Sequence, residues 1–307
     1  MFYTWKSAAI LLGQPEETVK KACGKLNLRR NGLSVKDIEQ IRYVLNIPLK
    51  FIKGCKQLFL SFKGGTGKTT LSSAYAFRLA ELGYKVLAVD LDPQGHLTTC
   101  MGLNSEEYEA TLYDVLVEKK SIQELIISSS LKNLFVIPSN FNMSPVELSL
   151  ISLNAREFKL RKALESIQDE YHFIVMDAPP NFGLLNLNSM LAADDIIIPV
   201  LADFLSYQSL KLIFEALKDI KDDFNYELKH KHILLNYYND KFRICRNSRE
   251  ALEKYYPDYL LKSVIRQSTA ITRATSKGMT IFQYEPVSKA AEDISALTHE
   301  ILGRSLG

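Results

Sequence analysis

From residue 58 onward, short apolar runs bounded by turn-forming residues alternate with longer amphipathic stretches. The runs cover residues 58–62, 85–90, 134–138, 173–177, 196–200 and 232–236. Stretches such as 69–82, 160–170 and 209–219 lie between them and have helical periodicity. Strands alternating with helices predict an α/β fold, a doubly wound and mostly parallel sheet covered on both faces. Residues 1–46 differ, reading as short helices, and Pro48 blocks helix continuation in the segment after them. The expected organisation is a small all-α module over 1–46, a linker over 47–57 and an α/β domain over 58–307.

Composition narrows this picture only slightly. With 307 residues, 47% apolar and 24% charged, the chain has an ordinary globular make-up, which excludes a mainly disordered or collagen-like protein. No segment approaches the ~18–20 uninterrupted apolar residues of a membrane span. The first residues show no basic, apolar and small-residue pattern of a secretory leader, so a cytoplasmic location is expected. Cys23, Cys55, Cys100 and Cys245 are too widely spaced for a CxxC metal pair or a disulfide framework, and free thiols are expected.

Charge distribution adds more. The net +3 conceals +7 over residues 1–57, −8 over 58–240, +6 over 241–289 and −2 over the last 18 residues. Basic segments flanking an acidic middle suit a polyanion, because each neutralised phosphate releases a condensed counterion. Solvated Lys and Arg on helix faces give the same composition.

The candidate chemistry begins at Lys63-Gly64-Gly65-Thr66-Gly67-Lys68-Thr69-Thr70, between an apolar run and a helical pattern. A phosphate-binding loop needs this strand–loop–helix setting. Glycines let backbone N–H groups turn inward around phosphate oxygens, and the new helix adds its positive end. Lys68 suits the β- and γ-phosphates, and the Thr69 hydroxyl suits Mg2+. Phe62 stands where the usual loop has its first glycine, and Lys63 follows, giving the deviant form K-G-G-x-G-K-[ST].

Two acidic motifs accompany the loop. Val89-Asp90-Leu91-Asp92-Pro93-Gln94-Gly95 ends the second run with acids two residues apart, which share a face in a strand. Phe173-Ile174-Val175-Met176-Asp177 is apolar until its final acid, the form in which an Asp holds Mg2+ directly or through water. Loop and acids all fall at strand C-terminal ends, where open α/β sheets bind ligands.

At these residues the sequence resembles the ParA/MinD family of deviant Walker-A P-loop NTPases, and most of all its ParA partition (Soj-like) branch. The resemblance spans about residues 58–300 and takes in Ile137-Pro138-Ser139-Asn140, Ala193-Asp194-Asp195 with the run after it, and residues 278–286. It implies a slow, partner-stimulated ATPase using ATP and Mg2+, an ATP-sandwiched homodimer that binds DNA nonspecifically on the nucleoid, and a ParB-like centromere-binding partner. By the same resemblance, Lys63 is the signature lysine that reaches the other subunit's nucleotide. Gly64, Gly65, Thr66, Gly67, Lys68, Thr69 and Thr70 form the phosphate loop. Asp92 positions or activates water. Thr69, Asp92 and Asp177 serve the metal, and Asn236 lies in the base pocket. Asp90 suits either a site role or a cap on its strand end.

DNA binding in the family uses C-terminal basic residues. Arg266 lies in Val264-Ile265-Arg266-Gln267, where the family often has I-P-R-N, with Arg273 and Lys277 nearby. Plain surface charge is the alternative for all three. The MinD branch is disfavoured, since its membrane-binding basic C-terminal helix is replaced here by a slightly acidic end. The related nitrogenase iron proteins need a pair of cluster cysteines, and Cys100 has no counterpart later in the chain.

Residues 4–23 fit a helix-turn-helix pattern, with Ala9 at a helix contact, Gly13 in the turn and Val19 as an apolar anchor. The first helix is expected over residues 6–12. Pro15, Glu16 and Glu17 open the second, and Ser34 with Asp37 caps a third. The layout resembles the MerR-like module ahead of some plasmid-type ParA proteins, which gives Lys20, Lys21, Lys25, Arg29 and Arg30 to DNA phosphates. A helical packing or dimerisation bundle is the alternative. A nucleotide-regulated repressor of its own operon and a MinD-like positioning ATPase are the competing functions.

Overall fold

Residues Phe173–Asp177 and Asp195–Val200 are buried at every position, as strands covered on both faces must be. The computed structural model describes residues 2–29, 31–47, 49 and 52–305, and places both strands inside an eight-stranded sheet. The N-terminal segment comprises β1 (Tyr3–Thr4), α1 (Trp5–Leu12), α2 (Glu16–Lys25), β2 (Asn31–Leu33) and α3 (Val35–Val44). Then come β3 (Cys55–Phe59), α4 (Lys68–Glu81), β4 (Val86–Asp90), α5 (His96–Cys100), α6 (Leu112–Leu116), β5 (Ile127–Ser128) and β6 (Leu134–Ile137). They are followed by α7 (Val146–Ile151), α8 (Lys159–Glu165), β7 (Phe173–Asp177), α9 (Leu184–Ala192), β8 (Asp195–Val200) and α10 (Phe204–Phe224). The order closes with β9 (His230–Tyr238), α11 (Arg243–Tyr255), β10 (Leu260–Arg266), α12 (Thr269–Thr275), α13 (Ile281–Tyr284) and α14 (Lys289–Arg304).

The sheet runs β10-β9-β8-β3-β7-β4-β6-β5. Every pairing is parallel except that of β5 with β6. β3 sits between β7 and β8, so the chain leaves it toward one edge and later returns to its other side. Such a reversal leaves a crevice at the strands' C-terminal ends. Alternate side chains feed two cores. In β7, Phe173 and Val175 pack with α4, α13 and α14, and Ile174 and Met176 pack with α6 to α10. The four cysteines are free thiols in this structure. No helix among the described residues is long and apolar enough to cross a membrane.

The N-terminal helices share the first of these cores. Leu11, Leu12, Val19, Ile38 and Ile41 belong to the cluster that contains α4 and α14. Tyr3 Oη donates to Glu81 Oε1 at 3.0 Å, and Glu81 forms a buried ion pair with Arg78 at 3.0 Å. The Arg78 guanidinium lies 3.5 Å from the Phe282 ring centroid, a cation–π contact inside the core. Gly13 ends α1 at φ +62°, and a Cβ there would come within 3.1 Å of the His299 ring. That ring hydrogen-bonds the Leu11 carbonyl at 3.0 Å. Ser34 and Asp37 cap α3 reciprocally, as their spacing predicts.

Several boundaries differ from the sequence expectation. β3 begins at Cys55 rather than at residue 58, because Lys56 and Gln57 find partners in Asp194 and Asp195 and are buried as strand residues. β9 extends the run 232–236 at both ends, and α10 extends 209–219. The helix expected over 160–170 stops at Glu165 and continues as a separate 3-10 turn, Gln168–Glu170. β10, β5 and the β1–β2 pair carry no clear apolar run and were not anticipated. Pro48, the residue behind the linker reading, lies outside the described residues.

Candidate nucleotide site

The site is built where β3 gives way to α4. Gly65 and Gly67 adopt φ +76° and +83°, the left-handed region open to glycine. Gly67 is also the N-cap of α4 and makes no side-chain cap, leaving the first N–H groups of the helix for a ligand. A Cβ on Gly67 would lie 2.4 Å from Asn236 Nδ2. That amide donates to the Thr66 carbonyl at 2.7 Å, and Asn236 Oδ1 accepts the Tyr237 N–H at 2.8 Å. Asn236 therefore braces the loop backbone from behind. The Thr66 hydroxyl is buried with no hydrogen-bond partner among the described residues.

β3 and β7 are in register, Phe59 opposite Asp177, which sets the acid directly beneath the loop. Asp177 is fully buried. Lys68 Nζ lies 3.0 Å from its Oδ1, and Thr69 Oγ1 donates to its Oδ2 at 2.7 Å. An unpaired buried ammonium or carboxylate is costly, so each depends on the other. Asp92 lies beyond β4, where its Oδ1 accepts the Gln94 N–H at 3.0 Å. With residues 63–70, Asp92 borders a cleft of about 330 Å3, together with Gln94, His96 and Pro180.

Asp90 takes the capping role. It is fully buried, accepts from Thr98 N at 2.8 Å and Thr98 Oγ1 at 2.7 Å, and receives the Asp92 N–H at 3.2 Å. Burial first, then the charge of Asp177 opposite it, push its carboxyl up to about 7. It shapes the turn that carries Asp92.

Lys63 does not point to its own loop. Its Nζ lies 2.6 Å from Asp203 Oδ2 and 3.5 Å from Ser206 Oγ. Burial works against ionisation of Asp203, but its hydrogen bonds from Lys63 and Ser206 outweigh this and hold the carboxyl below its ordinary value. Asp203 was missed from the sequence. Its one signal is an acid soon after the end of a buried strand, the feature that marks Asp177.

The structure divides the candidate DNA contacts. Lys21, Lys25, Arg29, Arg273 and Lys277 are exposed. Lys20 is tied to Glu17 at 2.7 Å and Glu16 at 3.3 Å. Arg30 lies outside the described residues. Arg266 forms a forked pair with Asp293, Nε at 2.9 Å from Oδ2 and Nη2 at 2.6 Å from Oδ1, and borders a recess beside Gly67 and Asn236. Lys241, Arg243 and Arg246, at the start of α11, are exposed and were not singled out. The +6 segment contains them, and helical periodicity across 243–255 was the signal that would have located them.

These residues fit a nucleoside triphosphate with Mg2+. The glycine cradle and the uncapped end of α4 supply N–H donors, and Lys68 supplies a cation. No cluster of three His, Cys, Asp or Glu able to hold a metal occurs among the described residues. A Mg2+ ion here would rest on Thr69 and Asp177 together with the nucleotide's own phosphate oxygens, the usual manner for this ion.

Comparison with known proteins agrees. Residues 58–230 match the family model described as an AAA domain. The chain is 45% identical over 302 residues to the cell division protein PomZ of Myxococcus xanthus, covering 98% of this chain and 93% of PomZ. It is 32% identical over 239 residues to the sporulation initiation inhibitor protein Soj of Bacillus subtilis, covering 78% and 94%. Among solved structures, the septum site-determining protein MinD of Pyrococcus horikoshii, complexed with Mg-ADP, superposes with a TM-score of 0.68 at 25% identity, covering 82% and 98%. The chain belongs to the AAA domain family and, within it, to the ParA/MinD-type ATPases that act in partition or positioning.

Proposed function

We propose that this ATPase cycles between a free form and an ATP-sandwiched dimer on DNA, and that hydrolysis releases it. ATP is bound with Mg2+ in the cleft above Asp177. Lys68 exchanges Asp177 for the β- and γ-phosphate oxygens, and Thr69 and Asp177 hold the ion. When bound there, the ion would supply positive charge against that developing on those oxygens. Asp92, on the opposite wall, orients the attacking water. Catalysis of this kind is mostly positioning and charge neutralisation.

The observation that carries the reading is the geometry of the two lysines. Lys68 is committed to the Asp177 centre, whereas Lys63, on the rim of the same cleft, is paired with Asp203, a second cation that would exchange that carboxylate for a partner's nucleotide. The exposed basic residues of α11 and α12 with Lys277, and those of α2 with Arg29, supply phosphate contacts. A ParB-like protein bound to DNA stimulates turnover, and the nucleoid is the working surface. Since the match to PomZ includes nearly the whole chain, a cell-division positioning role is favoured over plasmid partition.

Asp92→Ala tests the cycle. The variant is expected to bind ATP and dimerise, fail to hydrolyse, and stay on DNA. Unchanged ATP turnover would remove Asp92 from this role. The helix-turn-helix reading of α1 and α2 favours a second activity, operator binding by Lys21, Lys25 and Arg29. Binding to the protein's own promoter and to random DNA, each with ATP and with ADP, separates the two. Sequence-blind binding that requires ATP supports partition or positioning, and site-specific binding with ADP supports repression.

A further inference from the structure

Where the N-terminal helices meet the α/β domain, at the end of α4 opposite the phosphate loop, lies a cavity of about 170 Å3. Arg42, Ile47 and Leu49 line it from the N-terminal part, and Leu82, His299 and Leu302 line it from the α/β domain. Arg42 is nine-tenths buried, at 9% exposure. Its Nε donates to the Ile47 carbonyl at 3.3 Å, and its Nη1 donates to the carbonyl of Leu82, the C-cap of α4. Both partners are neutral, and carbonyls at a helix end carry only partial negative charge. Among the described residues no acid forms an ion pair with Arg42, and none hydrogen-bonds its Nη2. Glu39, a turn earlier on α3, is exposed. Burial pulls the guanidinium below its ordinary pKa, against weaker opposing effects of Tyr84 and Glu39. His299 adds no second cation, because its Nε2 donates to the Leu11 carbonyl at 3.0 Å and burial lowers its pKa. A buried guanidinium without a counter-ion is costly, and the cavity beside it has room for one.

We propose that this cavity is a binding site for a small organic monocarboxylate, with its carboxylate on Arg42 Nη2 and its apolar body against Leu49, Leu82 and Leu302. The inference is independent of the nucleotide site. A cavity of about 150 Å3 lined by apolar side chains takes up benzene, so the body is one ring or a branched chain of similar size. One cation calls for one negative charge. A phosphate dianion or a dicarboxylate would bring a second charge that nothing in the lining neutralises. A charge-assisted bond from a guanidinium to a carboxylate is stronger than one to a neutral carbonyl. Because both parts of the chain line the cavity, an occupant binds the docked arrangement and ties the N-terminal helices to α4 and α14.

The test is calorimetry and thermal melting of the full chain with four probes. Benzoate carries ring and charge, benzamide the ring alone, acetate the charge alone, and inorganic phosphate a different anion. Benzoate is expected to bind one site per chain with a dissociation constant of about 10 mM or tighter, and to raise the melting temperature as its concentration rises. Benzamide, acetate and phosphate should each bind at least about tenfold more weakly. Arg42→Met should weaken benzoate by about tenfold or more, the least that a hydrogen bond to a charged group is worth. Because Arg42 also holds the end of α4, a second variant leaves it in place. Leu49→Glu, at an exposed position on the cavity, brings a carboxylate of the chain's own to Arg42. It is expected to raise the melting temperature and to exclude benzoate. The proposal would be overturned if wild type bound no benzoate at about 100 mM, ten times the weakest expected constant. Equal benzoate affinity in wild type and Leu49→Glu would also overturn it, as would tighter binding of phosphate than of benzoate.

Discussion

Two buried aspartates at opposite ends of one sheet have different fates. Asp177 ends β7 and Asp195 begins β8, and each flanks β3. Asp195 is surrounded by the protein's own donors. Gln57 Nε2 at 3.1 Å, Ser305 Oγ at 2.9 Å and the Cys55 thiol at 3.5 Å point at Oδ2, and His230 Nδ1 lies 2.8 Å from Oδ1. Burial, and then the charge of Asp195, push the Cys55 thiol well up, so it stays protonated. Among the described residues, the side chains that hold the Asp177 carboxylate are Lys68 and Thr69, and both also border the open cleft. A carboxylate whose partners have nowhere else to go is structural. One whose partners face an anion-shaped cradle is available for exchange.

The largest expected difference follows directly. Asp177→Asn should lower ATP turnover at least ~100-fold, the order found when a charge-stabilising group is removed from a reacting centre. Asp195→Asn should leave turnover per folded molecule within about twofold but cost about 2 kcal/mol of stability, as a buried network loses part of its satisfaction. Urea melts and single-turnover assays on the same samples measure both. Loss of turnover in a fully folded Asp195→Asn protein would break the comparison.

Lys63 sharpens it. Its pair with Asp203 is partly exposed, and such pairs are worth at most about 1 kcal/mol, so release is easy. Lys63→Ala should therefore keep nucleotide affinity while reducing dimer-dependent turnover at least ~10-fold, since a charge supplied in trans contributes much of the rate in such sites. Sedimentation with ATP checks dimerisation, and equal turnover and dimerisation in the variant would argue against the role.

The smallest effect on turnover concerns pH at the structural end. His232 stacks on His230 with ring centroids 6.0 Å apart, and both its ring nitrogens are buried with no hydrogen-bond partner among the described residues. Burial pushes its pKa down to about 4, against 6.5 for the free side chain. The unfolded chain then binds the proton first, so the contribution of this residue is fully present above pH 6.5 and is lost as pH falls toward 4. His232→Leu should flatten that part of the stability profile without altering nucleotide affinity, and a profile unchanged in urea melts at pH 4.5 to 7 would contradict this.

How much of this was legible from the sequence depends on where partners sit. β7 was read to the residue, because four apolar residues and a terminal acid form a self-contained signal. The start of β3 was not, because Lys56 and Gln57 look like loop residues until Asp194 and Asp195, more than a hundred residues away, are brought beside them. The loop glycines and Lys68 were legible because phosphate binding is local chemistry. Asp203 was not, since its importance arises only when α10 starts next to Lys63. The caps of α1 and α3 lie within four residues of their partners, and Ser34 with Asp37 was read directly. The docking of the same helices was not, because it depends on Tyr3 meeting Glu81, 78 positions later.

The account rests most on the exchange of Asp177 for phosphate at Lys68, and calorimetric titration of ATP into wild type and Lys68→Ala, with and without Mg2+, tests it most directly. The account predicts one Mg2+-dependent site per wild-type chain and no tight binding in Lys68→Ala. Equal ATP affinity in the two proteins would contradict it.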